Sequence, residues 1–319
     1  MKKYQPVDPK KFPRFAGIKT FMRLPHVRTT EDIDFAIVGV PWDGGASFRT
    51  GQRSGPDAIR RVSALLRPYN MELDVRLFDH CSGADYGDLS VVPGYIEDSY
   101  KRIEEELYPL VDADVIPILL GGDHSMTLPQ LRAIVKKHGP VALIQFDAHT
   151  DTYDEYFGRP YNHGTPFSRA AEEHLLDMNH SIQVGMRGSV YSKEDYDQAK
   201  SYGFELITMA KVREIGVPNV IDRIHKRVGD ANVFVTFDID AVDPAFAPGT
   251  GTPEVGGFTS AEAMCLVGGL RDLNIVGFDI VEVLPEYDPS DITALLAANI
   301  VYQFISIIAA KNKQNLNPE

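Results

Sequence analysis

The chain reads as a three-layer α/β protein, with helices packed on both faces of a central, mostly parallel sheet of about eight strands. Two observations predict this, and a third marks the functional edge. Apolar runs of strand length recur from residue 34 onward and are nearly continuous, as in strands covered on both faces. Helical patterns separate those runs, and strand–helix alternation builds a parallel sheet flanked by helices. Acidic and imidazole side chains gather just behind the ends of the runs, at the edge where open α/β sheets bind ligands.

Taken in order, the first thirty or so residues are rich in Pro, Lys and Arg and read as an irregular N-terminal arm. Strands are expected at 34–40 (DFAIVGV), 115–121 (VIPILLG), 141–147 (VALIQFD), 181–187 (SIQVGMR), 204–209 (FELITM), 232–240 (NVFVTFDID) and 274–283 (NIVGFDIVEV). A helix is expected over 55–67, with Pro56 suited to its first turn, and another over 128–138. Thr259 and Glu262 have the spacing of a capping box. No Pro/Gly/Ser-rich linker or fixed-period repeat divides the sequence, so 1–319 reads as a single domain.

The 319 residues are 44% hydrophobic and 24% charged, as in soluble globular proteins. A net charge of −13 argues against an electrostatic grip on nucleic acid or an anionic membrane. The two cysteines, Cys81 and Cys265, form no CxxC, which excludes a disulfide scaffold and fits a reducing compartment. The N-terminal stretch has basic residues but no apolar signal core. The longest apolar stretch, 299–310, contains Gln303 and is too short to span a bilayer. A cytoplasmic protein is expected, with neither a nucleic-acid nor a membrane partner.

The stretch FDAHTD sets Asp147, His149 and Asp151 on alternate positions at a strand end. In an extended segment such positions face one side, and two carboxylates crowded there repel each other unless a cation intervenes. His124 in GGDHS and the pair Asp238 and Asp240 in DIDAVDP fall at the same predicted edge. Together they are too few for two separate cages but suffice for two metals sharing bridging carboxylates. An oxygen-rich set without thiolate favours Mn²⁺, with Ni²⁺ or Co²⁺ also fitting. Metals about 3.5–4 Å apart acidify a shared water for hydrolysis. GGDHS is no phosphate loop, since no GK[ST] follows, and the spacing of the acids is not that of an EF-hand.

GGDHS, FDAHTD and FDIDAVDPAFAPGTGTPEVGG resemble, almost letter for letter, the three signatures of the ureohydrolases, the binuclear manganese family of arginase and agmatinase. The resemblance runs from about residue 34 to about residue 305. It implies an arginase-like fold and two Mn²⁺ per chain. His124, Asp147, Asp151 and Asp238 would hold one ion, and Asp147, His149, Asp238 and Asp240 the other, with Asp147 and Asp238 bridging. It further implies that Glu282, in VEVLP, binds the guanidinium through charge-assisted hydrogen bonds. His163, in YNHGTPF, would contact the substrate and shuttle protons. Asp151 can take a proton from the attacking water and pass it to the departing nitrogen. Urea and an amine would be the products, and the protein a homo-oligomer, hexamer or trimer. The glycines of GTGTPE (249–254) suit a rigid turn beside the metals.

Arginases continue the 181–187 strand as GLRD, with the Asp facing the substrate's α-amino group, whereas this chain reads GMRGSVYS with Gly188 there. Arginine is therefore disfavoured. PRFAGIKTFMRLP, GVPWDGG, YFGRPYNHGTPF and MRGSVYS look closest to guanidino-acid hydrolases, particularly guanidinopropionase. A short guanidino acid such as 3-guanidinopropionate is the expected substrate, with agmatine and 4-guanidinobutyrate as alternatives. Tyr156, on the loop leading to His163, would shorten the pocket and touch the substrate. Arg49, Arg159 and Arg187 are candidate cations for a substrate carboxylate, although each taken alone reads better as structural or solvated, and no basic cluster marks the mouth. Leu284 and Glu286 depart from the usual VEVSPPYD pattern. A deacetylase-like amidohydrolase and a non-catalytic partner subunit are the competing classes; Glu282 and the intact set of six ligands argue against them.

Overall fold

In the first strand, residues that follow one another in the sequence enter opposite cores. Phe35 and Ile37 pack on one side of the sheet, Ala36 and Val38 on the other; an unbroken apolar run is what such burial requires. The structure, a computed structural model, describes residues 3–316, so the ends of the expected arm and domain lie outside the described residues. The strands are β1 (Phe35–Gly39), β2 (Tyr69–Asn70), β3 (Val75–Arg76), β4 (Gly83–Asp88), β5 (Ile116–Leu120), β6 (Ala142–Phe146), β7 (Ile182–Met186), β8 (Glu205–Thr208), β9 (Asn232–Asp238) and β10 (Asn274–Val281). Eight form one sheet in the order β4-β1-β5-β10-β9-β6-β7-β8. Its neighbouring strands are all parallel, while β2 and β3 form a small antiparallel hairpin.

The helices are α1 (Gly55–Ser63), α2 (Leu77–His80), α3 (Ile96–Asp112), α4 (Thr127–His138), α5 (Pro166–Glu172), α6 (Glu194–Tyr202), α7 (Met209–Ile215), α8 (Val217–Val228), α9 (Ser260–Gly268) and α10 (Ile292–Leu316). Helices α3 to α6 cover one face, and α1, α2 and α7 to α10 the other. This is the expected three-layer architecture. Helix α1 stops four residues short of the expected 67. The expected capping box is present at α9: Thr259 Oγ1 accepts from Glu262 N at 3.2 Å, and Glu262 Oε2 accepts from Thr259 N at 2.8 Å. Thr259→Ala should lower stability by about 1 kcal/mol. An unchanged denaturation midpoint would show that the cap contributes nothing.

Three features differ from the sequence reading. Strand β4, GADYGD, was not foreseen, because it lies at the sheet edge and carries polar residues towards its end. The apolar 299–310 stretch belongs to a 25-residue helix, so length does not exclude it from a membrane. Burial gives the better argument: 78% of its most apolar window is covered by protein, as in a core helix. The arm is largely irregular but firmly placed. Tyr4 O accepts from Gly83 N at 3.2 Å, Asp85 Oδ2 accepts from Phe21 N at 2.8 Å, and Phe21 is fully buried.

Because the sheet is parallel, the loops after β1, β5, β6, β7, β9 and β10 share one edge. The order β5-β10-β9-β6 brings four of them side by side at its centre. The site forms there.

Candidate metal centre

After β5 the chain turns through Gly121 and Gly122. A Cβ at Gly122 would lie 1.7 Å from the Trp42 carbonyl oxygen, so only glycine fits this turn. Asp123 then caps it, accepting from Ser125 N at 3.0 Å, and His124 enters the interior. After β6 the structure differs in detail from the expectation. Asp147, His149 and Asp151 do converge, but not by alternation along a strand, since β6 ends at Phe146. Asp147 Oδ1 accepts from His149 N at 2.6 Å, and Asp151 has φ +50°, so a tight turn gathers them. Asp238 ends β9 and accepts from Asp240 N at 2.8 Å, curling both acids into the same space.

His124 Nδ1 lies 3.1 Å from Asp147 Oδ2, 2.9 Å from Asp151 Oδ2 and 3.2 Å from Asp238 Oδ2. His149 Nδ1 lies 3.1 Å from Asp240 Oδ2 and 3.5 Å from Asp147 Oδ1. The ligand atoms of His124, Asp147, Asp151 and Asp238 all fall within 4.8 Å of one another, as do those of Asp147, His149 and Asp240. Two adjoining nests therefore share Asp147, and all six expected residues meet.

The electrostatics call for cations. Burial first, then Asp240 and Asp147, holds the Asp238 carboxyl well above its usual range. Burial and Asp147 push Asp151 up to about 6. Burial opposes charge on His124, yet the surrounding carboxylates outweigh it and raise the ring. The His124 Nε2 lies 2.8 Å from Thr236 Oγ1, while Nδ1 has no hydrogen-bond partner and faces three acids. A lone pair aimed among crowded, buried carboxylates fits a divalent cation.

Above the cluster opens a cleft of about 690 Å³, with His149, Asp151 and Asp238 at its base and Ser47, His163, Tyr156 and Tyr191 on its walls. Glu282 is buried behind His163, with φ +64°. Its Oε1 accepts from His124 N at 3.0 Å and lies 3.1 Å from His163 Nδ1, and its Oε2 accepts from Gln52 Nε2 at 2.8 Å. Burial disfavours its charge, but His163 and the other donors outweigh this and hold the carboxyl below its usual range. Burial likewise opposes charge on His163, and Glu282, Asp151 and Asp123 outweigh it, pushing the ring up to about 9. The turn at 249–254 closes over Glu282: a Cβ at Gly251 would lie 2.9 Å from its Oε2.

The arginines considered for a substrate carboxylate are engaged elsewhere. Arg187 donates to the carbonyls of Asp240 at 2.6 Å, Glu254 at 2.7 Å and Ala241 at 3.1 Å. Arg49 sits over the Tyr287 ring at 4.4 Å, and Arg159 is exposed and lines a separate cavity. Gly188 has φ +80°, and the space beside it is filled, since a Cβ there would come 2.3 Å from the Glu254 carboxyl carbon. Sequence reading missed Ser47, Gln52 and Thr236. Ser47 follows β1 at the edge already suspected, so the strand-end rule applied to that loop would have found it.

Two carboxylate–imidazole nests sharing an acid beneath an open cleft define a metal-dependent hydrolase with a binuclear centre. The sequence pattern of the arginase family matches residues 33–306, and the chain belongs to that family. It is 42% identical over 308 residues to guanidinobutyrase from Pseudomonas aeruginosa, covering 96% of this chain and 97% of that protein. It is 44% identical over 306 residues to guanidinopropionase from the same organism, covering 96% of each. Agmatinase from Escherichia coli O7:K1 is 44% identical over 299 residues, covering 91% of this chain and 93% of that protein. Among solved structures, proclavaminate amidino hydrolase from Streptomyces clavuligerus superposes with a TM-score of 0.90 at 40% identity, covering 94% of this chain and 99% of that one.

Proposed function

We propose that this enzyme hydrolyses a short guanidino acid, with 3-guanidinopropionate as the preferred substrate. As a member of its family it is a hydrolase that splits a linear guanidino compound into urea and an amine. The observation carrying the finer reading is a pair of phenols at the cleft. The hydroxyls of Tyr156 and Tyr191 stand 3.5 Å apart, and burial first, then Tyr191, raises the Tyr156 phenol so that it stays a donor. Two neighbouring phenols at the cleft can each turn an O–H to a substrate carboxylate, giving up their contact with one another. Agmatine is the second reading, favoured because Glu155 lines the cleft and no Arg or Lys among the described residues does.

The oxygen-rich donors fit two Mn²⁺: His124, Asp147, Asp151 and Asp238 would hold one ion, Asp147, His149, Asp238 and Asp240 the other, and the pair would supply a water acid enough to attack at neutral pH. Asp151 takes the proton of that water. Glu282 supplies the counter-charge for the guanidinium, reached from the cleft as His163 releases its Oε1. The new C–O bond forms, the C–N bond to the substrate chain breaks, and the departing nitrogen receives a proton relayed through Asp151 and His163. We place the enzyme in the cytoplasm as a homo-oligomer, hexamer or trimer; exposed Phe12, Phe15 and Ile18 on the arm support an assembly surface.

Urea release from 3-guanidinopropionate, 4-guanidinobutyrate, agmatine, arginine and guanidine tests this. Arginine should be at least ~100-fold poorer in kcat/KM than the best substrate, because its α-ammonium would be desolvated beside the Tyr156 and Tyr191 phenols, which offer it no counter-charge. Tyr156→Ala should shift preference towards the longer 4-guanidinobutyrate. Comparable efficiency on arginine would overturn the first expectation, and a clear preference for agmatine over both acids would overturn the substrate proposal.

A further inference from the structure

The loop after β1 joins the site at one point. Asp123 Oδ2 accepts from Gly45 N at 2.7 Å, and Gly45 O accepts from His163 N at 3.0 Å, which fixes the loop against the histidine. Ser47 then meets the ring twice. Its main-chain N lies 3.1 Å from His163 Nε2, and its Oγ lies 2.7 Å from the same atom.

These contacts are not equivalent. A main-chain N–H only donates, so it favours the ring with a bare Nε2 and a proton on Nδ1, facing Glu282. A hydroxyl both donates and accepts. When the ring is doubly protonated, Nε2–H points towards an amide hydrogen, and among the described residues Ser47 Oγ is the acceptor at that nitrogen. The acids facing His163 from the other elements are Glu282 after β10, Asp151 after β6 and Asp123 after β5; Glu282 engages Nδ1.

We infer that Ser47 is a positioning residue that lets His163 carry a second proton, its hydroxyl accepting from Nε2–H in the charged ring and donating to Nε2 in the neutral one. The inference rests on the proposal that His163 relays a proton to the leaving amine. In the exchange the hydroxyl hydrogen rotates and the ring tilts its Nε2–H off the Ser47 amide towards Oγ. Ser47 also lines the cleft, so Nε2 sits one hydroxyl away from the substrate space.

The test uses metal-loaded, full-length enzyme with Ser47→Ala, Ser47→Thr and His163→Asn, each checked for metal content and thermal midpoint. Alanine keeps the main-chain N–H and removes only the acceptor. The charged ring should be disfavoured, moving the alkaline limb of kcat down by about one pH unit. About one pH unit above the wild-type limb kcat should fall about tenfold, with KM within about twofold. Threonine should restore both. An unmoved limb in Ser47→Ala, or a folded Ser47→Thr that restores nothing, would overturn the inference. Wild-type turnover by His163→Asn would instead overturn the underlying proton-relay proposal, separating the two failures.

Discussion

Asp147→Ala should lose metal and nearly all turnover while keeping its fold. Asp147 is the carboxylate shared by both nests, lying 3.1 Å from His124 Nδ1 through one oxygen and 3.5 Å from His149 Nδ1 through the other. If it ligates both ions, as proposed, its removal would take a ligand from each, and the water they hold would lose its acidity. A fall in kcat on the order of a thousandfold is expected, the upper end for deleting one preorganised group at a reacting centre. Stability should respond in two ways. Without metal, the change relieves repulsion on Asp238 and Asp151 but removes a carboxyl that, against burial, His124 and His149 hold well below its usual range. Its bonds from His149 N at 2.6 Å and Gln145 Nε2 at 2.7 Å go with it, so the metal-free variant should be the less stable one. With metal at about 100 times its Kd, wild type should gain roughly 2.7 kcal/mol per site, and the variant should not. Metal analysis after dialysis and thermal midpoints with and without Mn²⁺ check this. A variant retaining two ions per chain and wild-type turnover would dismiss Asp147 as the shared ligand.

How far the sequence revealed this site depends on the kind of signal each residue carried. The doubly buried strands announced themselves because covering both faces forces nearly every residue to be apolar. The metal nests were legible because carboxylates and imidazoles immediately behind such runs have few other reasons to be there. Strand β4 was not legible: as an edge strand it satisfies only one neighbour, β1, and its composition is that of a loop. Arg187 was open to two readings for a related reason. A guanidinium near the site looks like a substrate anchor in sequence, yet this one ties together the carbonyls of Asp240, Ala241 and Glu254. At Gly188 the reading was incomplete. The missing side chain was visible, but not the Glu254 carboxyl that fills its space from a loop sixty-six positions away. Contacts across such distances leave no local period.

Glu282→Gln should lower kcat/KM by roughly 10- to 150-fold for every guanidino substrate, the scale of about 1.5–3 kcal/mol for one charged hydrogen bond. The substitution is nearly isosteric, and at this position shape matters. Glu282 is buried at φ +64° and accepts from three protein groups: His124 N, His163 and Gln52 Nε2. A glutamine oxygen can still accept from some of these, but its amide nitrogen must face at least one donor, so a modest loss of stability should accompany the kinetic effect. Two consequences of the lost charge can be separated. If Glu282 holds the guanidinium, KM and kcat should both worsen. If it only holds His163, the effect should fall on kcat and follow the protonation of the ring. Glu282, with Asp151 and Asp123, outweighs burial and pushes that ring up to about 9; without the carboxylate, His163 should lose its proton at lower pH, and the alkaline limb of kcat should fall with it. The direction is fixed by sign: removing a negative neighbour disfavours the charged imidazole. Unchanged kcat/KM across the substrate panel would exclude Glu282 as the guanidinium anchor. A lowered alkaline limb with unchanged KM would assign its charge to His163 alone.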